Sequence, residues 1–144
     1  MSRSAIMDRI DALLSGVSDP TFTEVMRGEP LSIAGTPCVA FWVRSRDVDF
    51  KTLTGVTSNC NFTIRAYFRM QSSKDIREST ELDIWDAIVS IDSALRGDSN
   101  LSGNATDTDI GSATTGYTEI SGVAFRTVDI PYSVMLANEV TITP

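Results

Sequence analysis

The chain has 144 residues, of which 42% are hydrophobic and 22% charged, and its formal net charge is −7. This length and composition predict one globular domain that buries its core without disulfide or metal staples. The negative balance argues against proteins that hold DNA or anionic membranes through a basic patch. Histidine is absent, which removes the commonest general base and metal ligand of enzyme sites.

The N-terminal part is expected to form a short amphipathic helix followed by two strands. Apolar residues recur at helical spacing from Ser4 to Val17, and Asp19-Pro20 ends this helix. A short strand is predicted over Thr21–Arg27. The second strand, Pro37–Arg44, is rich in aromatic and β-branched residues. Because both of its faces are largely apolar, we expect a helix to cover one face and a neighbouring subunit to cover the other.

The segment that follows is expected to form a hairpin arm at about residues 46–59. It carries hydrophobic residues where a monomer has little of its own core to bury them. We therefore expect the arm to pack on a neighbouring subunit, with Val48, Phe50, Leu53 and Val56 as the interface residues. The alternative is that they form only the outer part of a long hairpin.

The clearest period-two alternation lies in Asn61–Met70. The apolar residues that share one face are Phe62, Ile64, Ala66, Phe68 and Met70. The residues of the other face are Asn61, Thr63, Arg65, Tyr67 and Arg69. This pattern predicts a half-buried antiparallel strand whose apolar face packs against a helix.

A long central helix is predicted from Ser72 to Gly97, because Ser72 and Asp75 have the spacing of a helix-capping pair. Two neighbouring apolar rows follow at helical spacing: Ile84, Ile88, Ile91 and Leu95 in one, and Leu82, Trp85 and Val89 in the other. So broad an apolar face favours a helix that lies on a sheet. At about 1.5 Å per residue, this helix is expected to be roughly 35 Å long.

The last part is predicted to be a polar loop at about residues 98–116 and a closing strand over Val123–Leu136. In this closing strand the apolar residues lie at odd-numbered positions up to Phe125 and at even-numbered positions from Val128 onward, so we expect a bulge near Arg126 that shifts the alternation. Pro131 either places this strand at a sheet edge or turns its nitrogen outward. These elements predict a single α+β domain over residues 1–144: an antiparallel β-sheet with an N-terminal helix and a long central helix packed on one face.

The two cysteines, Cys38 and Cys60, are too few for a disulfide framework or a zinc site. We expect both to stay as reduced thiols, with a cross-strand bridge as the alternative. Charged residues interrupt the apolar ones near the N-terminus, which argues against a signal peptide. Because no apolar run reaches the ~20 residues of a membrane helix, no membrane partner is expected.

Two groupings of polar residues are candidate metal or catalytic sites. An EF-hand calcium loop is matched by Asp98, Asn100, Ser102, Gly103, Thr106 and Asp109. Ala105 departs from that pattern, and Asp109 is shorter than the usual glutamate. A second grouping on the predicted helix is Glu81, Asp83 and Asp86, where charges opposite an apolar stripe usually form the solvated side. No phosphate loop, dinucleotide fingerprint or nucleophile elbow occurs. The sequence therefore predicts no enzyme, no cofactor and no metal, with a small calcium- or ligand-binding module as an alternative.

Several segments carry a comparison with a known family. They are IMDRIDALL, the turn VMRGEP before PCVAFWV, the strand NFTIRAYFRM before STELDIWDAIVSIDSAL, the loop DSNLSG and the closing strand FRTVDIPYSVML. In layout and hydrophobic pattern they resemble, over Ile6–Leu136, the tail terminator proteins of long-tailed bacteriophages, also called tail completion or minor tail proteins.

That resemblance implies a structural role in the virion. Such proteins form a ring, typically a hexamer, on the head-proximal end of the tail tube, where they stop tube growth and present a surface to the head. The expected partners are other copies of the chain, the tail tube protein and a head-completion or connector protein. DNA would only pass through the ring, and assembly would take place in the host cytoplasm. Head–tail joining proteins of the same viruses share this size and α+β character, and are the alternative.

Overall fold

The computed structural model describes residues 3–51, 55–70 and 74–141. Its elements in chain order are α1 (Arg3–Ser15), β1 (Val25–Arg27), β2 (Cys38–Lys51), β3 (Gly55–Arg69), α2 (Lys74–Arg96), β4 (Asp107–Ile110), β5 (Thr114–Ile120) and β6 (Val123–Thr141). The predicted α+β class is confirmed.

The strands form one sheet in the order β1-β2-β3-β6-β4, with β5 also paired to β6. The predicted purely antiparallel sheet is wrong in one place, because β1 runs parallel to β2, with Val25 opposite Val39 and Arg27 opposite Phe41. Residues 28–37 carry the chain back along the sheet before β2 begins. A parallel neighbour requires such a crossover, whereas a tight hairpin gives an antiparallel one.

Strand β3 lies at the centre of the sheet and is paired along both of its sides. It is antiparallel to β2 from Val56 opposite Lys51 to Tyr67 opposite Cys38. It is also antiparallel to β6, up to Arg69 opposite Phe125. The backbone groups of β3 are therefore used by neighbouring strands on both sides, as suits a central strand.

The face of the sheet that carries Phe62 and Ile64 is covered by α1 and α2, and we call it the helix face. Its main buried side chains from the helices are Ile6, Ile10, Leu14, Ile84, Ala87, Ile91 and Leu95. The alternation predicted for β3 holds for Phe62, Ile64, Ala66 and Phe68, which are all buried here. Met70, predicted on the same face, follows the end of β3 and is exposed.

The prediction of a long central helix is wrong as stated. Helix α2 is an ordinary helix of 23 residues, Lys74–Arg96, and Gly97 already lies in the following turn. The broad apolar face is also wrong, because only the row that includes Ile84 and Ile91 reaches the sheet, while the row of Trp85 is exposed. Since α1 packs beside α2 on the same face, the sheet has room for only one row of α2.

The opposite face, which we call the open face, carries a second and smaller core. Its buried members are Cys38, Ala40, Tyr67 and Phe125, with Met26, Ile33, Trp42 and Ile120 packed against them. Ser121 Oγ donates a hydrogen bond to the Leu31 carbonyl at 3.1 Å, which joins the crossover segment to the β5–β6 turn. The second apolar face of β2, expected to meet a neighbouring subunit, is therefore partly covered by the chain itself.

Strand β6 runs without the bulge predicted near Arg126. Its register with β3 is continuous there, and Phe125 lies in the open-face core while Val128 lies in the helix-face core. The apolar residues of β6 therefore shift from odd to even positions because the strand buries its open face near Phe125 and its helix face from Val128 onward. Pro131 faces the gap between β4 and β5, where its carbonyl accepts a hydrogen bond from Gly111 N–H at 2.8 Å. Its nitrogen faces away from β3, so no ladder bond is lost.

The predicted polar loop at 98–116 contains more structure than expected. Strand β4 and the start of β5 lie within it, and Leu101 is fully buried in the helix-face core. Thr106 N–H donates to the Met135 carbonyl at 2.9 Å, which joins the loop to β6. A small number of apolar residues therefore anchors a segment whose composition is otherwise that of a loop.

The contrast between two rows of α2 is testable by paired substitutions. Ile91→Ala should lower the free energy of unfolding by about 2–5 kcal/mol, because a fully buried side chain leaves a cavity between helix and sheet. Val89→Ala in the same helix should change it by no more than about 0.5 kcal/mol, since Val89 is exposed. Denaturant melts of both variants measure this. Equal losses would contradict the assignment of the buried face.

Candidate assembly surface

Of the predicted arm at residues 46–59, the described residues 46–51 and 55–59 lie in the outer parts of β2 and β3. It is not a lone hairpin, because β6 extends beside it, with Thr141 opposite Gly55 and Val140 opposite Val56. The arm is thus part of a three-stranded extension of the sheet. Two-stranded ribbons are only marginally stable in water, whereas a third strand gives a fixed surface.

A polar network holds the base of the arm together. Asn61 Nδ2 donates to Ser45 Oγ at 3.0 Å and to Asp47 Oδ2 at 2.7 Å. Asn61 Oδ1 accepts a hydrogen bond from Ser133 Oγ at 2.7 Å. One buried amide therefore connects β2, β3 and β6 on the open face, and the network sets the register in which the arm extends.

The predicted interface residues have different outcomes. Val48 is 57% exposed, and Val56 is half-buried. The backbone of Phe50 pairs with Thr57, but its side chain falls outside the described part of the structure, as does all of Leu53. The structure also exposes Val43, 54% accessible, which the sequence placed inside an ordinary strand.

Val43 and Val48 lie on β2, beyond its short pairing with β1, whereas Val56 lies on the central strand β3. Strand β1 pairs with β2 only from Val39 to Phe41. Beyond Phe41, no other strand of the described residues pairs with the outer edge of β2. The register places Arg46 opposite Cys60 and Val48 opposite Ser58, with a bulge between Val43 and Ser45. An unpaired edge that carries apolar side chains is typical of a strand that meets another chain.

A second exposed apolar surface lies on α2. Leu82, Trp85 and Val89 are each more than half exposed, although the sequence placed them on the sheet-facing side. Beside them, a groove is lined by Ile88, Val89, Asp92, Ile110, Gly111, Ala113 and Ile130. The sequence indicated this surface only through the width of the apolar face of α2. A helix needs one apolar row to pack on a sheet, and α2 has two.

The candidate catalytic carboxylates do not form a site. Glu81 pairs with Arg126 at 3.3 Å, and Asp83 and Asp86 are exposed. Within the described ranges, no group of three His, Cys, Asp or Glu side chains is placed to hold a metal ion. These carboxylates instead give the outer side of α2 a negative charge.

The EF-hand-like loop is held by its own hydrogen bonds. Asp98 Oδ1 accepts from Ser102 N–H at 3.0 Å, and Asp98 Oδ2 pairs with Arg9 Nε at 2.6 Å. These contacts, the Ser102 N–H first, hold the pKa of Asp98 below its ordinary value. The stability they contribute is therefore present above the unfolded-state pKa and is lost as the pH falls through the lower folded-state pKa. The loop anchors α1 to the end of α2.

The open face carries an ion pair between Arg65 and Asp129. Arg65 forms two hydrogen bonds to Asp129, at 2.5 and 3.0 Å, and its guanidinium lies 5.3 Å from the Trp42 ring centroid. The ion pair with Asp129 raises the pKa of Arg65. Nearby, burial raises the pKa of Tyr67, so its hydroxyl stays neutral at physiological pH. This set stabilises neighbouring strands.

Neither cysteine forms a disulfide. Cys38 is opposite Tyr67 and Cys60 is opposite Arg46, so they are separated by about seven residues, or roughly 23 Å, along β3. Disulfide geometry requires Cα atoms within about 7 Å. Burial raises the pKa of the Cys38 thiol to about 12, so it is unreactive at neutral pH.

No family model and no curated protein sequence matches this chain. Among the helices of the described residues, none is long and apolar enough to cross a membrane.

The cysteine assignment predicts a difference in labelling rates. In the native protein without reductant, an alkylating reagent should label the half-buried Cys60 well before Cys38, whose thiol is buried and protonated. In denaturant both should react, as mass spectrometry of the intact chain would show. Labelling that requires prior reduction would contradict the assignment.

The calcium alternative has an equally direct test. Because Arg9 and Ser102 already occupy the Asp98 carboxylate, about 1 mM CaCl2 should leave the Tm unchanged, whereas a bound ligand raises it by mass action. The matched control is MgCl2 at the same ionic strength. A rise in Tm with calcium alone would favour the calcium-binding module.

Proposed function

We propose that this chain is a structural virion protein of a long-tailed bacteriophage, which caps the head-proximal end of the tail tube as a ring. Cap formation stops tube polymerisation and provides the surface for head joining. The observation that carries this proposal is the arm, whose outer strand presents Val43 and Val48 to solvent along an unpaired edge. The resemblance of the chain to tail terminators supplies the identity of the assembly.

The position of the arm favours self-assembly through unlike surfaces. It lies at the β2 edge of the sheet, whereas β4 and β5 lie at the other edge. A protein that uses one edge to contact a different surface of the next copy forms a closed ring or an open filament. A terminator requires the closed form, because a ring offers the tube no further growing end.

The composition of the chain suits a conduit for DNA. Its net charge of −7 disfavours binding to the phosphate backbone, so nucleic acid can pass through the ring without being held. We propose no catalytic activity and no cofactor, and the expected partners are the tube protein, the head-completion protein and further copies of the chain.

A single substitution in the arm tests this function. Val48→Asp should leave the Tm within about 2 °C, because an exposed-site change costs little stability. It should nevertheless prevent the protein from capping tubes, since a carboxylate would be buried unpaired at each subunit contact. Tubes polymerised from the tail protein of the same virus, with either form added, would be measured by electron microscopy. Wild-type protein should give tubes of limited growth, and the variant should give overlong ones.

The matched control is Val123→Asp, which makes the same change at a 50% exposed valine in the β5–β6 hairpin, away from the arm. It should cap tubes as the wild type does. If wild-type protein binds the connector but never the tube end, the chain is a head–tail joining protein. Normal capping by Val48→Asp would contradict the role of the arm.

A further inference from the structure

Three arginines line one small groove beside the start of α2. They are Arg69 at the end of β3, Arg77 in α2 and Arg126 in β6, and the groove has a volume of about 80 Å³. The whole chain has only 12 lysines and arginines and a net charge of −7. This concentration of positive charge therefore differs from the acidic balance of the rest of the chain.

Arg126 is held in place by contacts within the chain. Its guanidinium pairs with Glu81 at 3.3 Å, donates to the Gly116 carbonyl at 3.2 Å and lies 4.8 Å from the Tyr117 ring centroid. Glu81 also lines the groove. Arg126 therefore forms a fixed wall of the groove, and the charge of this arginine is already met by a carboxylate.

Arg69 and Arg77 differ from Arg126 because both are exposed. Among the residues that the structure describes, neither side chain has an ion-pair or hydrogen-bond partner. Arg77 also lies in the first turn of α2, which begins at Lys74, where the helix dipole favours an anion and gives a cation no support. Each of these guanidinium groups therefore offers its charge and its fork of N–H donors to an acceptor from outside the chain.

The rim of the groove is apolar and exposed. Met70 is 43% exposed and Tyr117 is 68% exposed, and both line the groove together with the arginines. A free inorganic anion would leave these side chains in water, whereas a segment of protein would cover them. Arginine, tyrosine and methionine are also the residues in which protein interfaces are enriched. The rim therefore favours a protein as the occupant.

A polyanion such as DNA is a poor match for this groove. Duplex DNA carries about one negative charge per 1.7 Å of its axis, so a protein binds it through cations along an extended track. Here the arginines surround a single groove on a chain whose net charge is −7. One carboxylate meets much less repulsion, and it can accept hydrogen bonds from guanidinium groups in a planar, bidentate geometry.

We propose that this groove binds an acidic side chain, glutamate or aspartate, from a segment of another protein. The carboxylate lies between Arg69 and Arg77, and apolar residues beside it in the segment pack on Met70 and Tyr117. The partner is therefore a protein that presents carboxylates next to large apolar side chains. This inference goes beyond the proposed function, because it does not depend on whether the chain caps tail tubes.

A short peptide with adjacent glutamates flanked by leucines is the probe, and its control has glutamine in place of each glutamate. Fluorescence anisotropy of the labelled peptides at low salt measures the two dissociation constants. The glutamate peptide should bind the wild-type protein at least about tenfold more tightly, because carboxylates form charge-assisted hydrogen bonds with the arginines. Added salt should weaken this binding, since the groove is open to solvent.

Substitutions of the two unpaired arginines locate the binding site. Arg69→Gln and Arg77→Gln should each weaken binding of the glutamate peptide at least about tenfold. Arg77→Lys keeps the charge but loses the planar fork, so it should retain only part of the affinity. The matched control is Arg44→Gln, which removes the same charge from an exposed arginine of β2 outside the groove and should bind as the wild type does. Thermal melts should show that every variant is folded.

Several outcomes would overturn the inference. Equal binding of the two peptides, or an equal loss in Arg44→Gln, would show that the groove does not recognise carboxylates. Inorganic phosphate or duplex DNA that binds more tightly than the glutamate peptide, with the same loss in Arg77→Gln, would assign the groove to phosphate groups. Oligomers of the chain that the glutamate peptide dissociates would place a second copy in the groove instead of another protein.

Discussion

The pairing of β3 with β6 is the constraint on which the rest of the structure depends. These strands are separated in sequence by α2, β4 and β5, yet they pair from one end of β3 to the other. Their register decides which residues enter the helix-face core and which enter the open-face core. Because a shift by one residue would exchange the two faces, the buried positions of Ile64 and Tyr67 are fixed together.

The same pairing explains how the chain supports an arm. Strand β6 continues past β4 and pairs with β3 over the outer part of the sheet, so that β2, β3 and β6 form three adjacent strands there. Asn61 then joins all three strands through its amide. A patch on β2 can therefore be presented in a fixed geometry, which lowers the entropy cost of binding compared with a mobile loop.

Much of this architecture follows from local sequence patterns. The period-two alternation of β3 and the row of Ile84 and Ile91 in α2 predicted the main helix–sheet contact, because each pattern depends only on nearby residues. The parallel course of β1 could not be predicted in this way, since it depends on the path of the crossover at residues 28–37. The same holds for the face on which Phe125 is buried.

The candidate site was predictable only in part, for a related reason. Apolar residues in the arm indicated a surface, and Val48 is indeed exposed, but the support from β6 depends on long-range pairing. Trp85 was expected in the core because its row is apolar at helical spacing. Its exposure results from the space that α1 occupies on the sheet, which periodicity within α2 does not reveal. Exposed apolar rows of this kind indicate contact with another chain when no part of the fold covers them.

The central claim is that unlike surfaces of identical chains close into a ring, and the mass of the assembly tests it most directly. Native mass spectrometry of the purified protein over a wide range of concentration, with and without tube ends, measures the number of subunits. We expect one discrete oligomer of constant mass, since a closed heterologous ring leaves no site for a further copy. A symmetric dimer, or a series of masses that grows steadily with concentration, would contradict the claim.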